Sequence, residues 1–115
     1  MTLRAGGVRP WVLQRLSALY MALFLLLAVP AAWLAGPLDF AAWHEMFTRP
    51  WFNVATTLFC LALLGHAWVG GRDILLDYVH PPGLRFVLLS LLGLFLLAML
   101  VWLLGILLPL LGGVA

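Results

Sequence analysis

The chain has 115 residues, of which 66% are apolar and only 9% are charged, whereas charged residues supply about a quarter of a typical soluble domain. This composition excludes an ordinary soluble fold and indicates that lipid is the solvent of the chain. The formal net charge of +2 is too small for a protein that binds DNA or RNA. The single cysteine, Cys60, excludes an intrachain disulfide and a C-x-x-C pair, and we interpret it as apolar filler within a helix.

The first predicted helix covers approximately residues 12–35. Residues 16–34 carry no charge, and this length suffices to cross roughly 30 Å of hydrocarbon at about 1.5 Å per residue. A cleaved signal peptide is the alternative, since three arginines precede the run. The run is longer than the roughly 7–15 apolar residues of a signal peptide, and we expect Pro30 to kink or end a transmembrane helix near the membrane surface.

The second and third predicted helices cover approximately residues 51–77 and 84–110. The second contains an uncharged run, 51–71, in which His66 is the only side chain that can gain a positive charge. The third is uncharged from Phe86 onward, and we interpret it as a structural anchor. The chain is therefore predicted to be one all-α membrane domain with three transmembrane helices.

The arginines predict the orientation of these helices. Five lie before the first helix, at its start, or around the connection between the second and third helices, and one lies in the other connection: Arg4, Arg9, Arg15, Arg72 and Arg85, against Arg49. The positive-inside rule then places the N-terminus and the second connection in the cytoplasm.

An ionisable residue inside a transmembrane helix is costly, so His66 is the first candidate for function. Ala62 and Gly70 lie one turn on either side of it, and small residues there would admit the edge of a flat haem macrocycle. Three interpretations remain open: a neutral histidine hydrogen-bonded within the fold, a proton relay, and a haem ligand. A relay normally needs carboxylates at membrane depth, and the three predicted spans have none. A haem would need its second axial ligand from another subunit.

The second connection gathers polar side chains at the predicted cytoplasmic surface. Pro81 and Pro82 are expected to end the second helix. If that helix continues to Tyr78, Asp77 extends the face of His66, roughly 16 Å along the axis. A solvated loop with an interfacial tyrosine is the alternative interpretation of these residues.

These residues carry a family resemblance. His66-Ala67-Trp68-Val69-Gly70, followed by Asp77-Tyr78, resembles the H-A-W-x-G and D-Y pattern of the small membrane-anchor subunits, the D-type anchors, of bacterial succinate dehydrogenase, or complex II. Arg15-Leu16-Ser17-Ala18 matches an R-x-[ST]-A motif at the start of the first helix in that family, and the resemblance covers nearly the whole chain. One departure is Arg9, near which the family often has a histidine.

The resemblance implies a multi-pass anchor of the bacterial inner membrane that is not an enzyme alone. It would pack with a second three-helix subunit of cytochrome b type and hold the iron–sulfur and flavoprotein subunits. His66 would be an axial ligand of a shared haem b, Arg15 would face a haem propionate, and Tyr78 with Asp77 would border the ubiquinone site. The alternatives are the anchor of a fumarate reductase and a haem-free three-helix scaffold.

Overall fold

The computed structural model describes the backbone of residues 2–112 and the side chains of residues 8–112. It has four helices, α1 (Thr2–Ala35), α2 (Phe40–Thr48), α3 (Pro50–Tyr78) and α4 (Pro82–Leu111). Residues Val8–Ala35 of α1 and the whole of α3 and α4 are long and apolar enough to cross a membrane. The predicted all-α class with three transmembrane helices is therefore confirmed.

Helix α1 differs from the sequence prediction at two points. It begins at Thr2 rather than near residue 12, because a helix can continue beyond its apolar segment into positions that need no lipid contact. It also passes through Pro30 and ends at Ala35, so Pro30 does not end the helix. Proline removes one backbone hydrogen bond, and a membrane helix tolerates that loss where neighbouring groups compensate for it.

Helix α2 was not predicted, because its nine residues are too few to form a transmembrane segment. Gly36 adopts a positive φ of 82°, a conformation that glycine reaches without steric cost, and it follows the last residue of α1. Asp39 then caps α2, because its Oδ1 accepts a hydrogen bond of 2.8 Å from the backbone N–H of Ala42. A capping aspartate before a short apolar segment was the signal that could have revealed this helix.

Helix α3 lies in the centre of the fold. It packs against both α1 and α4, whereas α1 and α4 do not contact each other within residues 2–112. The approach of α3 to α4 is close at Gly71, where an added Cβ would lie 2.7 Å from Cδ2 of Leu92. The two ends of this open arrangement are called here the α2 end and the α3–α4 end, after the connections that they carry.

Two of the four buried side chains in the described part of the chain are polar, Ser17 and Asn53. Asn53 is 1% exposed and lies near the start of α3. Its Nδ2 donates to the carbonyl oxygens of Phe47 and Leu107, both at 2.9 Å. Since lipid offers little hydrophobic force between helices, such hydrogen bonds hold the helices together, and Asn53 joins α2, α3 and α4.

Replacement of Asn53 by alanine is expected to destabilise the fold by about 1–3 kcal/mol, because two carbonyl oxygens lose their donor in a buried place. Unfolding in mixed micelles, followed by circular dichroism, measures the change. Thr48→Ala is the control, since the Thr48 hydroxyl donates to Glu45 at an exposed position. Equal stability of the two variants would contradict the role given to Asn53.

Candidate functional site

The imidazole of His66 points from α3 toward α1. Its Nδ1 lies 3.3 Å from Oγ of Ser17, and its Nε2 lies 3.4 Å from the amide nitrogen of Gln14. His66 is half-buried and Ser17 is 5% exposed, so both ring nitrogens meet polar atoms in the interior of the fold.

The partners of His66 occupy one face of α1. Gln14 and Ser17 are three residues apart, a spacing that places their side chains on the same side of a helix. Oγ of Ser17 donates to the backbone oxygen of Gln14 at 3.0 Å. Oε1 of Gln14 is buried and has no hydrogen-bond partner in the described part of the chain. The three side chains form a small polar cluster, called here the histidine cluster.

Sequence reasoning missed Gln14 and used Ser17 only as part of a motif. Both are polar residues at the start of a membrane helix, and their three-residue spacing was the available signal. What the sequence lacked was the pairing of α1 with α3, which only the tertiary structure supplies.

The surroundings of His66 fit one half of a bis-histidine haem site. Ala62 and Gly70 lie one helical turn on either side, and a Cβ added to Gly70 would meet only Nε2 of Gln14, at an ordinary 3.8 Å. An imidazole nitrogen is a common axial ligand of haem iron. Within the described residues, His66 is the only histidine in the three transmembrane helices, so the second histidine of such a site is expected from another chain.

Arg15 follows Gln14 on α1 and is exposed. Its guanidinium lies 5.4 Å from the ring centroid of Trp11, at the distance of a cation–π contact. The two ion pairs in the described part of the chain involve other arginines, so the charge of Arg15 is available to an anionic group.

Asp77 and Tyr78 form the last turn of α3 and are both exposed, Tyr78 by 78%. Asp77 lies three turns beyond His66 on the same face, roughly 16 Å along the axis. Helix α3 continues to Tyr78, which is the condition under which Asp77 extends the face of His66. The structure does not bring these residues together with His66, and one helix carries two separate candidate sites.

Arg85 holds the end of α3 in place. From the first turn of α4, its Nε donates to the carbonyl oxygen of Val79 at 2.9 Å and its Nη2 to that of Leu76 at 3.2 Å. Cationic side chains often satisfy the unpaired carbonyl groups at the end of a helix in this way. In the sequence analysis Arg85 served only to indicate orientation. In the structure its hydrogen bonds also stabilise the last turn of α3, which carries Tyr78, and the connection that follows.

Arg85→Gln is expected to loosen this connection, because the shorter neutral side chain cannot make both hydrogen bonds. Limited proteolysis or hydrogen exchange at residues 76–81 should become several-fold faster, in line with a loss of about 1 kcal/mol for a hydrogen bond. Arg72→Gln is the matched control, since within the described residues Arg72 pairs only with the neighbouring Asp73, near the surface. If both variants exchange at the same rate, Arg85 does not hold the connection.

The sequence of this chain is similar to those of known proteins. The family model described as Succinate dehydrogenase/Fumarate reductase transmembrane subunit matches residues 6–105, which include every candidate residue above. The succinate dehydrogenase hydrophobic membrane anchor subunit of Coxiella burnetii (strain RSA 493 / Nine Mile phase I) is similar to this chain, with 29% identity over 96 residues that cover 84% of each protein.

Proposed function

The chain belongs to the succinate dehydrogenase/fumarate reductase transmembrane subunit family, and from that membership we propose that it anchors a succinate dehydrogenase in the bacterial inner membrane. In this proposal it supplies one axial ligand to haem b and part of the ubiquinone site. The succinate chemistry takes place in the flavoprotein and iron–sulfur subunits. The chain is thus a required part of an oxidoreductase and not an enzyme alone.

One observation carries the haem part of the proposal. The His66 imidazole lies within a membrane helix, hydrogen-bonded through Nδ1 to α1 and flanked by small residues. Haem b, when bound, would supply a one-electron carrier within the membrane. His66 would hold its iron through one imidazole nitrogen, and the cytochrome b-type subunit would supply the other axial ligand.

Arg15 is proposed to hold a haem propionate. It is exposed, it carries a permanent charge, and it follows Gln14, whose amide lies against the ring of His66. A guanidinium can bind a carboxylate through two parallel hydrogen bonds, which fixes both distance and orientation. Since the guanidinium already lies 5.4 Å from the ring centroid of Trp11, this cation–π contact partly orients it before it meets an anion.

Tyr78 and Asp77 are proposed to serve ubiquinone. Reduction of the quinone takes up two electrons and two protons, and negative charge gathers on the carbonyl oxygens during the transfer. Oη of Tyr78 can donate a hydrogen bond to such an oxygen and stabilise that charge. Asp77, beside it, can orient this hydroxyl or deliver protons, and Arg85 keeps the two residues at the end of α3.

The open arrangement of helices suits a subunit that packs with a partner. Since α1 and α4 do not contact each other within residues 2–112, the flanks of α3 are left for further helices. We propose that a second three-helix subunit packs there. The soluble subunits would bind at the α3–α4 end, which the arginine count assigns to the cytoplasm.

Purification from native membranes in mild detergent tests the proposal as a whole. The chain should co-purify with a flavoprotein, an iron–sulfur protein and a second hydrophobic subunit, and the particle should oxidise succinate with ubiquinone as acceptor. Isolation of the chain with none of these proteins would contradict the assignment.

A further inference from the structure

We propose that Ser17 is a positioning residue that fixes the tautomer of His66 and so reserves Nε2 for the haem iron. This inference rests on the proposed haem ligation and deepens it. It concerns how this chain prepares the ligand, which neither the family description nor the named relative addresses.

The direction of the hydrogen bonds in the histidine cluster carries the argument. A serine hydroxyl has one hydrogen, and that of Ser17 is donated to the backbone oxygen of Gln14 at 3.0 Å. Oγ therefore faces Nδ1 of His66, 3.3 Å away, with a lone pair. A hydrogen bond between them requires that Nδ1 carry the proton, which makes Nε2 the nitrogen with the free electron pair.

The contact at Nε2 agrees with this assignment. The amide nitrogen of Gln14 lies 3.4 Å away and, as a donor, can meet Nε2 only if that atom is unprotonated. Oε1 of the same amide is buried without a partner in the described part of the chain, so no second hydrogen bond fixes the amide there. The amide can therefore give way to an iron atom, whereas Ser17 is also anchored by its hydrogen bond to the backbone oxygen of Gln14 and can stay at Nδ1.

A hydrogen bond from Nδ1–H has two effects on a metal-bound histidine. It fixes the rotation of the ring, and it raises the basicity of the nitrogen that binds the metal. A more basic ligand stabilises the oxidised iron more than the reduced iron, since the oxidised iron has the higher charge. Ser17 should therefore lower the midpoint potential of the haem.

The test uses the assembled complex, with a redox titration of the haem in three variants. In Ser17→Ala the contact is lost, and loss of such a partner typically weakens metal binding by 10–100-fold. If a tenfold loss falls on the oxidised form, the midpoint potential rises by about 59 mV. Ser17→Thr keeps a hydroxyl and should restore the wild-type potential, while Ser17→Val has nearly the shape of threonine without the hydroxyl and should behave like alanine.

Ser90→Ala is the matched control, because Ser90 also donates to a backbone oxygen within a membrane helix, at 2.8 Å, but lies on α4. Its potential should equal that of the wild type. The proposal is overturned if Ser17→Thr and Ser17→Val have the same potential, or if Ser17→Ala leaves the potential unchanged. If His66→Ala still removes the low-spin haem signal in that case, only the role of Ser17 is wrong and the haem ligation stands.

Discussion

His66→Ala is expected to abolish the low-spin bis-histidine haem signal of the assembled complex. Alanine has no atom that can reach the iron, and the second ligand alone cannot hold a six-coordinate haem. The loss should be nearly complete rather than graded, because His66 is the only histidine in the described transmembrane helices α1, α3 and α4. A reduced-minus-oxidised spectrum, normalised to the amount of purified complex, measures the effect.

His44→Ala is the control for this experiment. His44 lies on α2, at the opposite end of the fold, where its ring packs 5.8 Å from that of Phe40. The same substitution at this position should leave the haem spectrum unchanged. An unaltered spectrum in His66→Ala would exclude His66 as a ligand, and loss of the signal in both variants would point to a general defect of assembly.

Tyr78→Phe is expected to slow quinone reduction by about tenfold to a hundredfold while haem content stays normal. The change removes one hydroxyl that donates to an oxygen with developing negative charge, and such a hydrogen bond contributes about 1.5–3 kcal/mol. Because Tyr78 is 78% exposed and is the last residue of α3, its hydroxyl can be removed without disturbing the fold. Electron transfer from succinate to ubiquinone, measured beside succinate oxidation by a soluble acceptor, separates the two steps.

The other tyrosine provides the matched variant. Tyr20 donates from α1 to the backbone oxygen of Ala55 on α3 at 2.6 Å, within the membrane. Tyr20→Phe should therefore lower stability slightly and leave quinone kinetics unchanged. If quinone reduction is normal in Tyr78→Phe, this hydroxyl has no part in the quinone site.

Much of the fold could be predicted because membrane helices leave a strong signal. The uncharged runs gave the three transmembrane helices, and the two prolines after Val79 marked the end of α3. The apolar pattern that identifies a helix is lost where the helix extends beyond the membrane. The start of α1 and the whole of α2 were missed for that reason, since both depend on capping and on local hydrogen bonds.

The candidate site could be predicted only in part, for a related reason. An ionisable side chain within a membrane is energetically costly, so the sequence alone indicates His66 as a candidate functional residue. Its partners on α1 are 49 and 52 residues away, and only the packing of α1 against α3 brings them to the imidazole. The hydrogen bonds of Arg85 were not predicted for the same reason, because they cross the connection between α3 and α4.

The hydrogen bonds of the histidine cluster also agree with a neutral histidine that has only a structural role, and that interpretation was open from the sequence. The position of the iron distinguishes the two. An experimental structure of the assembled complex, with the distance from Nε2 of His66 to the haem iron as the quantity measured, tests the central claim most directly. We predict an iron atom at bonding distance from Nε2, with Nδ1 still against Ser17. A complex without porphyrin, or a haem iron bound elsewhere while Nε2 stays on Gln14, would contradict it.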